Sequence, residues 1–549
     1  MNGHGPTLAS PRRGHRIVLC LLTLIVVVTA GIRLRLLELP LDRDEGEYAY
    51  FGQLLLQGIP PYATAYNFKM PGIYGIYAVM LAIFGQTPTG IHLGLLVVNA
   101  ATIVLVFLVA VRLFTATAGV AASAAFAALS LSPRLFSPTG HAEHFVLPLA
   151  LAGLLALLRA IESRRPLALF CSGALFGAAL LVKQSGGAFA LFAVLYVAAR
   201  APGDVRRRLR LSATVAAGAL APLATLCLLM ALTGTFATFW FWTFTYAFAY
   251  ATAVPLATGG ANLAGALGSI LPTSYLAAGL AALGLSALVW DERARSKRAV
   301  VGLLCACSFL AVSAGLYFRN QYFVLLLPAL ALLAGIAVDS MTRLLSSVRA
   351  PVLRYGAAIA LAAVPPLHLV YLERAILFEG TSHQIVRALY GRNPFPESVD
   401  VARYIRERTS REDRIAVVGS EPQIYFYADR QAATGYIYTY ALMEPHPYAA
   451  AMQRQMIGQI EAANPRYVVF VKIWTSWLVV PESDQTVFRW FEDYRKRFDR
   501  IGVIDIITPQ RTTYVWGPEA ASYAPRSDHW LMVFERRAAA DTIPDGGDR

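Results

Sequence analysis

Long apolar runs alternate with short polar ones up to residue 372, and many of the runs approach 20 residues, the length a helix needs to cross a bilayer. The pattern predicts about eleven membrane-spanning helices, near 17–37, 92–114, 116–132, 144–160, 166–182, 187–200, 209–233, 262–290, 299–317, 320–338 and 353–372. A further run, "PGIYGIYAVMLAIFG" at 71–85, has about 15 residues, with Gly85 at its end and Pro88 soon after. That length is marginal for a crossing, so it is read as a juxtamembrane helix.

After "YLERA" at 371–375 the pattern changes. "RIAVVG" and "IYFYADR" read as strands, "QIEAANPRYVVFV" as a helix running into a strand, and "RWFEDYRKRFDRIGVIDI" repeats helix then strand. The expected organisation is a membrane domain over 1–372, with a first outer loop at 38–91, and a small α/β domain over 373–549. The tail "DTIPDGGDR" is expected to be disordered.

Composition agrees with the pattern. Hydrophobic residues make up 56% of the 549 and charged residues only 15%, against about 25% in a soluble protein. The formal charge of +14 does not indicate nucleic acid, because its basic residues stand in short clusters between apolar runs. Those clusters are "SPRRGHR" at the start, "RAIESRRP" near 160, "RAPGDVRRRLR" at 200–210, "DERARSKR" at 291–298, and Arg343, Arg349 and Arg354. Placing all of them on the cytoplasmic side needs an even number of crossings between each pair, which the eleven helices supply. The N-terminus is then cytoplasmic and the C-terminal domain extracytoplasmic. The first segment also has features of a signal peptide, with "VTAG" as a loose cleavage site, but either reading exports the next loop. All five cysteines lie in apolar segments, so the polar C-terminal part offers neither a disulfide framework nor a cysteine zinc site.

This topology gathers the polar residues that look chemical on one outer face: the 41–70 loop, "SPTGHAEHF" at 137–145, "KQSGG" at 183–187, "FWFWTFTYAFAY" at 239–250 and "YFRNQY" at 317–322. In the first loop, "LDRDEGEYAYFGQLLLQG", Asp44 followed by Glu47 fits the cap and first turn of an amphipathic helix. Capping does not account for Lys69 before Pro71, or for the aromatic "PPYATAYNF" ahead of it.

"DRDEGEYAY…GIPPYATAYNFKMPGIYGIYAVMLAIFG" resembles the first exported loop of the GT-C glycosyltransferases, in the branch of the protein O-mannosyltransferases and the lipid A aminoarabinose transferase. The matching residues are Asp44-Glu45, Tyr48 and Lys69-Met70-Pro71, where Met70 replaces one proline of the family's turn. "LLVKQSGGAF" and "RNQYFVLLLPALALLAG" resemble two later motifs, so the likeness runs over roughly 17–340; "RIAVVGSEPQIYFYADRQAATGYIYTY" is similar to the outer domain of bacterial members.

The resemblance implies transfer of a sugar from a polyprenyl-phosphate donor to a hydroxyl of a lipid, glycan or protein, with inversion, at the outer face of a bacterial cytoplasmic membrane. Such a reaction needs a base for the acceptor hydroxyl and cations beside the departing phosphate. The resemblance gives Asp44 as base and Glu45 as the residue that orients it or contacts the acceptor. Lys69, Lys183 and Arg319, with the Tyr322 hydroxyl, are candidates for the donor phosphate. Lys183 and Arg319 also sit at predicted helix ends, where snorkelling cations are ordinary. Tyr322 and the 239–250 run read equally as interfacial aromatics, and the run alternatively guides the lipid chain.

Tyr48, His141, Glu143 and His144 are candidate contacts to acceptor or sugar. The two histidines and a carboxylate are also metal-ligating types, but their spacing matches no zinc motif, so no cofactor is expected and a divalent cation stays the alternative. "VVGSEP", with a single glycine, reads as a strand-to-turn junction rather than a phosphate loop. A transporter or lipid flippase with an exported domain is the competing function, yet no repeat is evident and the cations gather at one face. A scaffold protein leaves the Asp-Glu and Lys constellation without a purpose.

Overall fold

The structure, a computed structural model, describes residues 11–163, 165–347 and 350–537; the 541–549 tail lies outside the described residues. Contacts divide the chain into two units, one of Met1–Leu39 with Phe68–Ile385 and one of Pro40–Asn67 with Val386–Arg549. Residues 40–67, the larger part of the first polar loop, thus pack into the second unit, and the chain returns to the first at Phe68.

Helices in N-terminal order are α1 (Pro11–Leu34), α2 (Arg43–Leu56), α3 (Gly72–Phe84), α4 (Pro88–Leu113), α5 (Ala116–Leu129), α6 (Ala142–Ser163), α7 (Pro166–Val182), α8 (Gly187–Arg200) and α9 (Val205–Leu232). All but α2 belong to the first unit, which continues with the helices Leu256–Trp290, Arg298–Ser313, Leu327–Leu344 and Pro351–Leu372. Every predicted apolar segment falls on one of these helices, and 71–85 becomes α3. Among the described residues, seven helices are long and apolar enough to cross a membrane, and shorter apolar helices accompany them. Leu167, Leu232, Leu256 and Val289 are more than 70% exposed, which suits a surface facing lipid and would be a liability in water. The protein is a multi-pass membrane protein.

In lipid there is no hydrophobic drive between helices, so close packing must hold them, and small residues permit it. On α7, a Cβ at Gly173 would lie 2.2 Å from the Val215 carbonyl oxygen, and one at Gly177 2.2 Å from that of Ala219. Gly218 of α9 answers with an approach of 2.1 Å to the Phe170 oxygen. The Gly-x-x-x-Gly spacing of α7 is therefore the seam between α7 and α9.

The second unit is built on a six-stranded sheet ordered β2-β1-β3-β6-β4-β5. The strands are β1 (Arg414–Val418), β2 (Gln431–Ala432), β3 (Tyr467–Lys472), β4 (Phe498–Thr508), β5 (Arg511–Trp516) and β6 (Trp530–Arg536). β2, β1 and β3 run parallel; β6 joins β3 and β4 antiparallel, and β5 pairs antiparallel with β4. The strands expected in "RIAVVG", "RYVVFV" and "RIGVIDI" are β1, β3 and β4. "IYFYADR" is not a strand: Gln423–Ala428 is a helical turn that ends at Asp429 in the left-handed region, φ 53°. Pro422, at φ −64°, presets the helix, and Ile424, Tyr425 and Phe426 are all buried, a pattern that period alone does not resolve in so short a run.

Candidate functional site

In the first unit, Lys183 ends α7 in extended backbone, and the turn Gln184–Gly186 leads straight into α8. Glu143 sits in the first turn of α6 with a side chain only 2% exposed, and forms an ion pair with Lys183, which is 23% exposed. The Lys183 ammonium also lies 3.9 Å from the centre of the Tyr322 ring. One cation is thus held between a buried carboxylate and an aromatic face, with part of it left open. Glu143, read from the sequence as a contact to acceptor or sugar, is paired with Lys183 in the structure.

Lys69 reaches the same face through its neighbours. Gln184 donates from Nε2 to the Phe68 carbonyl oxygen at 2.6 Å, and a Cβ at Gly72 would stand 2.3 Å from the Leu181 oxygen. Only glycine lets the start of α3 approach the end of α7 so closely, and that approach brings the Lys69 turn to the Lys183 turn. The Phe68 ring stacks on Tyr250 at 4.7 Å, Tyr250 stacks on Tyr317 at 4.4 Å, and the Arg319 guanidinium lies 5.8 Å from the Tyr317 ring centre. Lys69, Lys183, Arg319 and Tyr322 therefore share one end of the first unit. Part of the 239–250 aromatic run packs into this face, with Tyr246 buried, while Trp240 and Phe248 remain exposed.

The backbone before Arg319 is strained: Leu316 has φ 58° and Phe318 φ 45°, positions that bulky residues seldom adopt. Asn320 anchors the turn, donating to the Arg134 oxygen and the Ser269 hydroxyl at 2.8 Å each. The loop that carries "SPTGH" is pinned from α1, where buried Arg33 donates to the carbonyl oxygens of Ser130 at 2.7 Å and Ser137 at 3.3 Å. Tyr77 of α3 donates to the Gly140 oxygen at 2.7 Å. His141 and His144 are both buried, and His144 Nε2 has no hydrogen-bond partner among the described residues. No group of three or more His, Cys, Asp or Glu that could hold a metal ion occurs among the described residues.

In the second unit, α2 is capped two residues before the expected position. The N-cap is Asp42, not Asp44, and it forms a reciprocal capping box with Glu45: Glu45 N–H donates to Asp42 Oδ1 at 2.9 Å, and Asp42 N–H to Glu45 Oε2 at 3.4 Å. Asp42, Glu45 and Glu47 are buried, as is Tyr48. Burial and the charge of Glu47 push the Tyr62 hydroxyl well above the usual tyrosine range. Among Asp42, Asp44, Glu45 and Glu47, only Asp44 keeps partial exposure, and Tyr438 donates to its Oδ1 at 3.2 Å.

Arg43 is the residue that sequence reasoning passed over. It is buried, and it donates to Glu421 Oε1 at 2.6 Å, to Tyr440 at 3.0 Å, to Asn393 Oδ1 at 3.2 Å and to the Ser420 oxygen. Burial alone would lower its pKa, but the Glu421 charge and the Tyr440 and Tyr438 hydroxyls raise it on balance. Ser420 and Glu421 come from "VVGSEP", which is the strand-to-turn junction expected. Arg43 and Asp44, adjacent on α2, thus fix the 438–440 segment together. The only sequence signal was an arginine amid carboxylates.

A polytopic helical unit joined to a sheet-containing unit is an architecture shared with solved membrane proteins. Of solved structures, ArnT from Cupriavidus metallidurans bound to undecaprenyl phosphate is 17% identical, with 94% of this chain and 97% of that one covered and a TM-score of 0.58. The apo state of the same protein gives 16%, 93% and 97%, and 0.55. The apo oligosaccharyltransferase from Archaeoglobus fulgidus is 14% identical over 92% of this chain and 75% of that one, with a TM-score of 0.52. At such identities the likeness is one of fold. The family described as dolichyl-phosphate-mannose-protein mannosyltransferase matches residues 69–230, a stretch that begins on Lys69 and includes Glu143 and Lys183. No curated protein sequence matches the chain significantly.

Proposed function

We propose that the protein is a membrane glycosyltransferase that moves a sugar from a polyprenyl phosphate to a hydroxyl group of a lipid, glycan or protein, on the outer side of a bacterial cytoplasmic membrane. The observation that carries this reading is the Lys183 ammonium, held by Glu143 over the Tyr322 ring on the end of the unit that also bears Lys69 and Arg319. Fixed cations beside a leaving phosphate stabilise charge as it develops, which is where catalysis gains most. Undecaprenyl phosphate in the ArnT structure is a ligand of the required chemistry.

The acceptor oxygen attacks the anomeric carbon, the bond from that carbon to the phosphate oxygen breaks, and the lipid phosphate leaves as an anion toward Lys69, Lys183, Arg319 and Tyr322. Asp44 takes the acceptor's proton; its partial exposure and the Tyr438 hydrogen bond suit that task, whereas buried Glu45 and Glu47 do not. Glu45 acts by building the helix start that presents Asp44, and Glu143 by mooring Lys183. Tyr48, His141 and His144 shape the surroundings, from buried positions. No resident metal is required by this scheme, and a divalent cation remains compatible with it.

The test is Asp44→Asn in membranes supplied with polyprenyl-phosphate sugars. Loss of a general base lowers transfer by about 10²–10⁴-fold while donor binding persists. Transfer at the normal rate would remove Asp44 as base.

A further inference from the structure

The second unit contains a cavity of about 700 Å³ beside β3 and β6, within the 300–1,000 Å³ typical of small-molecule sites. Its apolar wall is aromatic. Phe470 lies 6.0 Å from Trp530 and 6.2 Å from Trp477, and Trp477 lies 4.6 Å from Phe488, measured between ring centres. Trp474, which also lines the cavity, is 63% exposed. A large indole left open beside a row of packed aromatics is a surface awaiting a ligand rather than a finished core.

The rim selects the ligand's chemistry. Lys472 and Arg489 are basic and Glu492 and Asp528 acidic, and the two carboxylates are each paired with a neighbouring arginine, Glu492 with Arg495 and Asp528 with Arg392, so the rim offers donors and acceptors of both signs. An acyl chain has nothing to offer four charged side chains, and they would make a poor mouth for one. A peptide strand has no edge to join, because β3 and β6 are each paired on both sides. A neutral sugar fits both halves: its ring C–H face lies flat against indole, and its hydroxyls donate to carboxylates and accept from guanidinium and ammonium groups.

We propose that this cleft is a non-catalytic binding site for a neutral glycan. The inference stands apart from the transfer reaction and holds whether or not Asp44 is the base.

The experiment uses the full chain in lipid nanodiscs, since sugar-headed detergents would occupy the cleft. Cellotetraose, maltotetraose and mannotetraose serve as probes, with tryptophan fluorescence and saturation-transfer NMR as readouts. At least one probe is expected to bind saturably, and Trp474→Ala to weaken it about 10-fold or more, in the range of one lost stacking contact at a binding hot spot. Because Trp474 is mostly exposed, the variant keeps its melting midpoint, and Arg489→Ala gives a second, independent loss. No saturable binding by any of the three probes would overturn the proposal, as would binding that both variants leave intact. Palmitate bound in the cleft in place of sugar would overturn it too. Transfer activity measured on the same preparations separates this outcome from failure of the catalytic reading.

Discussion

Lys183 shows how much one side chain's neighbours decide. A lysine at a helix end ordinarily snorkels into water, yet here Glu143 and Tyr322 fix its ammonium in one place. Glu143→Gln keeps the size and removes the mooring charge. Hydrogen bonds to charged groups contribute about 1.5–3 kcal/mol, so donor affinity is expected to fall roughly 10- to 100-fold, measured by titration with a polyprenyl phosphate. Arg43 gives the stability counterpart. Arg43→Met leaves Glu421 buried without its cation, and truncating one partner of such a pair costs about 3–5 kcal/mol; thermal unfolding of the second unit reads it.

His446 adds a pH dependence. Its Nδ1 accepts from the Tyr448 N–H at 3.1 Å and its Nε2 donates to the Ala441 oxygen at 2.7 Å, so the neutral ring is the one that fits. Burial lowers its pKa, outweighing the Ala441 bond, which raises it. The unfolded chain then binds the proton more readily than the folded one. The stabilisation is complete above the ordinary histidine value of about 6.5 and is lost as pH falls through it. His446→Gln should flatten the difference between melting midpoints at pH 7.5 and 5.5; an unchanged slope would assign it to other groups.

At the scale of elements, glycines set how near two segments come. Gly177→Leu puts a branched side chain where a Cβ already meets the Ala219 oxygen at 2.2 Å, so α7 and α9 must separate. The expected result is loss of monodisperse protein in size-exclusion chromatography, with Gly265→Leu, whose Cβ position is open, as the tolerated control. Sequence periodicity located the helices well because a span of about 20 apolar residues has few other uses. It located the start of α2 two residues late, since Asp42 and Asp44 are equally good caps by type and only the Glu45 reciprocation distinguishes them. It misread "IYFYADR" for the reason that tyrosine and phenylalanine favour strands in general, while Pro422 and the burial of successive residues favour a helical turn here.

For the whole molecule, the basic clusters predict that the second unit is exported. Alkaline phosphatase fused after residue 537 should be active, and one fused near residue 204, in a predicted inner loop, inactive; the reverse pattern would break the proposed topology. The apolar spans, the basic clusters between them and the switch to strand patterning were all determined by sequence, because each is a matter of composition over a window and of transfer between water and lipid. The "DRDEGEY" loop and the lysine turn were visible as chemistry for the same reason: charge is conspicuous in an apolar chain. Only the tertiary structure decided that residues 40–67 pack with the α/β unit, that Glu143 holds Lys183, and that Arg43 serves Glu421 while Asp44 keeps its exposure. Those are pairings across 40 and 378 residues of chain, and no local pattern encodes which buried charge will meet which.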